Sequence, residues 1–465
     1  MVWEENVFTI VMVTQLEEGR KEKCAQYWPD SVNEPLLVDT YSLVMTEEKQ
    51  HTHYMCRKIS VSNSGSMVVK TVHQLQFNQW PDHGVPGRIE LVNFYRTVSE
   101  DFDRNGPLIV HCSAGIGRTG TFIAIDALYE NGKKIGYVDV MDYLHMMRKD
   151  RMNMIKTHEQ YETVFEALLE LFTVPKMSIP RTDFFQYNYD IDNMMCSLKE
   201  KLCEEFKTLE TLRPSYPASK FTAANLLENM SKNSVRNILP HDDFRPYLIS
   251  YGSTRNDYIN AVIIPGYKED SSFFVTQWPI KDTIVDFWTM IYDHNSRIIV
   301  LLDPILERAQ LWLERKKMME FNDLCVIKEN GSSLEELKIT LNNKTKQDRR
   351  VINVFTTKEW QEGTLPSSNM MLSLLKRVGN CRDSQKCPIT VVCRDGCSKS
   401  GLFVALCLIL DKLELDDELD VFQAVRHVQS RRPELMTNGD QYDYCYKCIN
   451  DLLKEQSMDE NTSHI

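Results

Sequence analysis

The chain has 465 residues, about three times the ~150 residues of an average domain, so two or three globular units with real cores are expected. A hydrophobic share of 42% and a charged share of 26% exclude collagen-like, coiled-coil and wholly disordered states. With 54 Lys and Arg against 66 Asp and Glu the net charge is −12, which disfavours bulk nucleic-acid binding but leaves room for a local basic pocket around a small anion. In chain order, Thr9 to Val13 is a short apolar run suited to a buried strand, and Trp80-Pro81-Asp82-His83-Gly84 is a Pro/Gly-bounded loop. Leu108 to Val110 reads as a second buried strand, and Thr119 to Tyr129, Val140 to Arg148 and Gln160 to Leu171 carry apolar residues at helical spacing. Pro175 to Asn193 has no clear period and reads as a linker. Ile298 to Leu302 is again strand-like, Leu402 to Leu413 and Val421 to Gln429 are helical, and the tail from Lys454 is polar and expected to fray.

The 13 cysteines are an odd number without the spacing of a disulfide framework, which fits a reducing compartment. Cys393 and Cys397 lack the second pair and the histidines of a zinc site, so no metal and no cofactor is expected. No run approaches the ~18 apolar residues of a membrane span, and Val7 to Val13 follows Glu4 and Glu5 instead of a basic region. The residues given are expected to be cytoplasmic, and Asn229-Met230-Ser231 is read as a chance glycosylation match.

The chain repeats itself once. His111-Cys112-Ser113-Ala114-Gly115-Ile116-Gly117-Arg118-Thr119-Gly120 corresponds to Val392-Cys393-Arg394-Asp395-Gly396-Cys397-Ser398-Lys399-Ser400-Gly401, an offset of 281 (393 − 112). Upstream, Trp80 falls on Trp360 and Met1-Val2-Trp3 on Met290-Ile291-Tyr292. The second copy begins near Glu205-Phe206 and runs through Asn256 to Ala261 before reaching Met290, whereas the first copy has no such stretch. The boundaries read as unit 1 at 1–173, linker at 174–200, unit 2 at 201–453 and tail at 454–465.

A strand ending at Val110 and a helix starting near Thr119 would point the backbone N–H groups of the intervening loop inward, an anion nest. Gly115, Gly117 and Gly120 permit the close backbone approach, and Arg118 adds a planar fork for two phosphate oxygens. A thiol at Cys112 would lose its proton readily there, because donors that hold a phosphate dianion also stabilise thiolate. Thr119 can hydrogen-bond the sulfur, and His111 can brace the loop from behind. Attack on phosphorus then needs a proton for the leaving oxygen, which Asp82 on its loop can supply.

These motifs closely resemble the tandem cytoplasmic region of receptor-type protein tyrosine phosphatases, over nearly the whole chain from Met1 to about Leu453. The resemblance implies an α/β fold: two tandem domains of the classical tyrosine-specific branch, each a twisted mixed sheet flanked by helices with a strand, phosphate loop and helix at the site. It implies Cys112 as phosphocysteine nucleophile, Asp82 as general acid and later base, Arg118 as phosphate clamp and Ser113 to Gly117 as the loop lining. Glu18 and Lys23 resemble supports for the arginine and the acid loop. The substrates implied are phosphotyrosine proteins, with contact between the two domains within or between chains a further expectation. Full-length relatives would be single-pass membrane proteins.

Several positions depart from that pattern. The water-positioning glutamine falls at Lys156, so hydrolysis of the phosphoenzyme is expected to slow, whereas Gln160 keeps the second glutamine. The stretch missing from the first copy is where the resemblance places the phosphotyrosine-recognition loop, and the reading is of an incomplete gene product or partial chain. Unit 2 keeps Cys393, but Lys399 replaces the arginine, Val392 the histidine, Glu362 the acid-loop aspartate, Val235 a ring-stacking tyrosine and Thr437 a glutamine. Asp395 inside its cradle would repel phosphate, and Lys399 cannot form a bidentate fork. Unit 1 is therefore read as the enzyme and unit 2 as a regulatory pseudophosphatase. A binding scaffold, and redox sensing at Cys393 or Cys112, stand as alternatives.

Overall fold

Strand β1 (Thr9–Met12) is buried along its whole length because its alternating side chains feed two cores. Val11, with Val13 just beyond, packs among Leu75, Phe77, Phe94 and Phe122, while Ile10 and Met12 pack among Trp28, Met45, Ile59 and Val72. The computed structural model describes residues 1–100, 102, 106–184, 196–268, 272–304, 318–321, 323–329, 336–357 and 360–462. They divide into two compact units, Met1–Lys176 and Met177–Ile465.

In unit 1, β1 is followed by β2 (Pro35–Val38), β3 (Tyr41–Gln50), β4 (Tyr54–Asn63) and β5 (Val69–Phe77), an antiparallel series. Helix α1 (Arg88–Glu100) leads to β6 (Leu108–His111), then α2 (Gly117–Ile135), α3 (Val140–Asp150) and α4 (His158–Thr173). The six-stranded sheet runs β2-β3-β4-β5-β1-β6, with β1 parallel to both β5 and β6. The sheet thus places the end of β6, and the loop that follows it, beside the end of β1.

Unit 2 contains α5 (Cys196–Leu212) and then β7 (Ala261–Pro265), β8 (Ser272–Gln277), α6 (Ile284–Asp293) and β9 (Ile298–Leu301). Next come β10 (Met318–Phe321), β11 (Leu324–Lys328), β12 (Glu336–Asn343), β13 (Asp348–Thr356) and α7 (Ser368–Gln385). It ends with β14 (Ile389–Cys393), α8 (Ser400–Asp416), α9 (Val421–Arg431) and α10 (Gly439–Thr462). Its eight-stranded sheet runs β7-β8-β14-β9-β13-β12-β11-β10.

The two sheets share one strand order except at one edge. In unit 2 β8 pairs with β14 on the side away from β9, whereas in unit 1 β6 is the outermost strand. Leu108 to Val110, expected to be buried, is accordingly half-buried, while β14 is buried throughout. The first copy joins the pattern at the last turn of a helix: Glu5 and Val7 N–H donate to the carbonyls of Met1 and Val2, as His294 and Ser296 N–H do to Met290 and Ile291 at the end of α6.

Residues 185–195 of the segment read as a linker, and 463–465 of the tail, lie outside the described residues. In the rest of that segment Ile179–Pro180 pairs antiparallel with Glu418–Leu419 of unit 2, and α5 already begins at Cys196. The polar tail, expected to fray, continues α10 as helix through Thr462.

Candidate active site

Cys112 sits where β6 ends, and the following residues turn inward to start α2. Gly115 has φ +68, a left-handed backbone that favours glycine, and its counterpart Gly396 has φ +70. Gly120 is held by approach rather than by dihedral: a Cβ there would lie 2.8 Å from the Ile155 nitrogen, whose N–H donates to the Ile116 carbonyl at 3.2 Å. Ile116, at the N-cap, offers no capping oxygen, so the first N–H groups of α2 are left for an anion.

The Cys112 sulfur accepts from the Gly115 N–H at 3.2 Å and from the Thr119 hydroxyl at 3.1 Å. Burial pushes this thiol up, but the hydroxyl and N–H of Thr119 and the N–H groups of Gly115 and Ile116 outweigh it, leaving the thiol below its ordinary range. The thiolate therefore persists to lower pH than that of a free cysteine. Thr119→Ala removes the largest of the opposing bonds. Its iodoacetate alkylation profile at Cys112 is expected to move to higher pH, and superposable profiles for variant and wild type would remove Thr119 from this role.

Arg118, in the first turn of α2, is oriented by the carboxylate of Glu18. Its Nη1 and Nη2 donate to the two oxygens of Glu18, the second at 2.9 Å, and Nη2 also donates to the Pro81 carbonyl at 3.2 Å. Glu18 is 5% exposed and further accepts from the Thr14 hydroxyl at 3.1 Å and the Gln15 N–H at 3.3 Å. Burial raises the Glu18 carboxyl, yet the Arg118 bonds and charge, with Gln15 and Thr14, hold it below the carboxylate norm. Lys23 lies 3.6 Å from Glu18. The Trp80 ring is buried, donates from Nε1 to the Gly84 carbonyl at 3.3 Å and lies 5.7 Å from the Arg118 guanidinium carbon. Asp82 follows on the exposed part of that loop, beside Gly19.

His111 braces the loop through a chain of bonds. Gln74 Nε2 donates to the Tyr27 hydroxyl at 2.8 Å, Tyr27 OH lies 2.7 Å from His111 Nε2, and His111 Nδ1 lies 3.4 Å from the Cys112 carbonyl. These partners fit one neutral tautomer, with Nδ1 donating to the carbonyl and Nε2 accepting from tyrosine. Burial lowers the His111 pKa in the same sense, opposed by its bond to Cys112. Gln160 packs over Gly117 and spends its Oε1 on the N–H groups of Lys156 and Thr157, at 2.9 and 3.4 Å, closing a capping box on α4. Lys156 is exposed, one residue before that cap. Ser113 and Ala114 form the outer lip, where Arg151 donates to the Ala114 carbonyl at 3.1 Å.

Sequence reasoning singled out Cys112, Arg118, Thr119, His111 and Glu18, and the fold brings all five together. It missed Tyr27, Gln74, Thr14 and Arg151. The Arg151 counterpart in unit 2 was visible only through the repeat: Arg432 is buried and donates at 2.7 Å to both the Gly396 carbonyl and Asn260 Oδ1. Arg151 is exposed.

The unit 2 loop has the same backbone and opposite chemistry. Lys399 donates to the carbonyls of Trp360 and, at 3.4 Å, Leu302, and pairs with Asp303 at 2.8 Å. Arg394 pairs with Glu362. Burial first, and then the Asp395 charge, push the Cys393 thiol up to about 12, so it stays protonated at neutral pH. A cleft of about 720 Å³ opens above this loop.

A model of the protein-tyrosine phosphatase family matches residues 1–170 and 229–451. Relatives include receptor-type tyrosine-protein phosphatase S of Gallus gallus, 32% identical over 97% of this chain and 30% of its own length. Tyrosine-protein phosphatase Lar of Drosophila melanogaster is 32% identical over 97% of this chain and 23% of its own length. Receptor-type tyrosine-protein phosphatase alpha of Homo sapiens is 32% identical over 97% of this chain and 58% of its own length. The chain belongs to the protein-tyrosine phosphatase family and carries its domain twice. It spans less than two thirds of the length of these relatives. Among the described residues no helix is long and apolar enough to cross a membrane, and no group of three or more His, Cys, Asp or Glu is placed to hold a metal ion.

Proposed function

We propose that unit 1 hydrolyses phosphotyrosine in proteins through a cysteinyl-phosphate intermediate at Cys112, and that unit 2 does not turn over substrate but acts as a regulatory or binding unit. The observation that carries the reading is the Cys112 thiol, held below its ordinary range at the floor of a loop of inward N–H groups beside a pre-oriented guanidinium. The Cys112 thiolate attacks phosphorus, the P–O bond to the aromatic ring breaks, and Asp82 gives its proton to the departing phenolate oxygen. Water then attacks the phosphocysteine, its proton passes to the Asp82 carboxylate, and thiolate and inorganic phosphate are regenerated. Arg118 and the loop N–H groups balance the charge on the transferred phosphoryl group.

Tyrosine as the target is supported by what the relatives are named for, tyrosine-protein phosphatases. The protonated Cys393 and the diverted Lys399 support a silent unit 2. Matched phosphotyrosyl and phosphoseryl peptides offered to the full chain test the assignment: phosphate release from the first alone is expected. Equal release from both, or release that survives Cys112→Ser, is the result that would overturn it. In the same assay Lys156→Gln is expected to speed breakdown of the phosphoenzyme, seen as less phosphocysteine trapped by rapid acid quench. Unchanged trapping would clear Lys156 of any part in that step.

A further inference from the structure

The loop of unit 2 is already occupied, by a group of its own chain. The Asp395 carboxylate folds back over the cradle: Oδ1 accepts from the N–H groups of Cys397 and Ser398, both at 2.9 Å, and from the Cys393 thiol at 3.2 Å, while Oδ2 accepts from the Ser398 hydroxyl. The Cys397 N–H is shared with the Cys393 sulfur, 3.2 Å away. These are the donors a bound oxyanion would take, since Cys397 and Ser398 stand where Ile116 and Gly117 stand in unit 1. Unit 1 has Ala114 at the Asp395 position, with no atom to fill the space. The loop backbone is not degraded: Gly396 keeps its left-handed φ of +70, and Arg432 holds the Gly396 carbonyl at 2.7 Å.

We propose that unit 2 retains a folded tetrahedral-oxyanion site, shut by Asp395 acting as a tethered stand-in for phosphate. The consequence is functional: the cleft above Cys393 does not read phosphorylated partners, and whatever unit 2 docks there is recognised without a phosphate group. Simple repulsion by a charged residue would leave the N–H groups unpaired, which is costly in a half-buried loop. An internal carboxylate instead satisfies them, and a phosphate must displace those bonds before it can enter. The carboxyl of Asp395 stays ionised in this setting; burial raises it, but the Ser398 hydroxyl, the two N–H groups and the Cys393 thiol outweigh that. Nearby, Lys399 is turned away to Asp303 and to two carbonyls, and Glu362 holds Arg394, so neither of these cations competes for Asp395.

The inference does not depend on turnover in unit 1, and its test reads binding. The full chain is titrated calorimetrically with sodium tungstate, a phosphate-shaped dianion, while iodoacetate labelling of the peptides carrying Cys112 and Cys393 reports which loop is filled. Wild type is expected to bind one equivalent, protecting Cys112, with Cys393 unlabelled throughout. Asp395→Ala is expected to bind a second equivalent at least about tenfold more tightly than any binding wild type shows in unit 2. Its Cys393 should label, and tungstate should protect it. Asp395→Ser, which places a small polar residue as Ser113 does beside Cys112, repeats the measurement should the alanine variant fail to fold. A second equivalent in wild type overturns the proposal without any variant. A folded Asp395→Ala or Asp395→Ser chain that still binds one equivalent, with Cys393 silent, overturns it as well.

Discussion

Cys112→Ser will remove turnover of a small aryl phosphate, with kcat/KM falling by about 10⁴-fold or more. The loop that lowers the Cys112 thiol works on a group whose ordinary pKa lies within a few units of neutrality. The same N–H groups and Thr119 hydroxyl cannot bring a serine hydroxyl to the alkoxide at neutral pH. The variant keeps the nest and the guanidinium, so tungstate binding in unit 1 should persist while hydrolysis disappears. Intact-mass analysis after acid quench should show phosphoenzyme in wild type and none in the variant. Turnover that survives the substitution, or a phosphorylated residue other than Cys112, would sink the mechanism while leaving the family assignment untouched.

The pH dependence follows from the same sulfur. Attack requires thiolate, so the rate of Cys112 alkylation rises with pH through the thiol pKa and levels off above it. Because that pKa is below the ordinary value, the rise lies at lower pH than for free cysteine. Cys393, at about 12, should stay unreactive across the range in which Cys112 labels. One chain thus carries two loops of one backbone with thiols driven in opposite directions, and the cause is local. The sulfur of Cys112 meets three N–H donors and a hydroxyl that outweigh its burial, whereas at Cys393 full burial and the Asp395 carboxylate outweigh the Ser400 hydroxyl and the N–H groups that remain.

What the sequence disclosed follows from the range of each interaction. The phosphate loop was legible because strand end, glycines, arginine and helix start lie within ten consecutive residues, and local sequence sets local backbone. Strand β1 and the helices after the loop were legible from period alone. The link from Gln74 through Tyr27 to His111 was not, since Tyr27 and His111 are 84 residues apart and only strand order brings them together. Leu108 to Val110 looked like a buried strand because composition reports hydrophobicity and not whether a neighbour strand is paired. Asp395 was legible as a charge in the wrong place. Its turn back onto the Cys397 and Ser398 N–H groups is a rotamer choice that no spacing encodes.

Arg118→Lys will lower kcat by roughly 10²- to 10³-fold, with a smaller change in KM, because the lost contacts matter most when charge spreads over the transferring phosphoryl group. The guanidinium is useful for its shape. Two nitrogens are committed to Glu18, one of them also reaches the Pro81 carbonyl, and the plane so fixed faces the loop without rearrangement. Lysine cannot do both, and unit 2 displays the outcome: Lys399 turns to the Trp360 and Leu302 carbonyls and to Asp303, which stands in the place of Thr14. In unit 1 a lysine at 118 would be drawn in the same way to Glu18 and to the carbonyls beneath the Trp80 loop, away from the nest. Urea unfolding of the variant should stay close to wild type, which separates lost chemistry from lost structure. The reciprocal exchange, Lys399→Arg, is expected to create no turnover, since Asp395 still fills the cradle and Cys393 stays protonated. Near-normal kcat in Arg118→Lys would show that the fork is not what divides the two units, whereas strong hydrolysis from Lys399→Arg in a Cys112→Ser background would show that the fork alone divides them and that Asp395 and the protonated Cys393 do not silence unit 2.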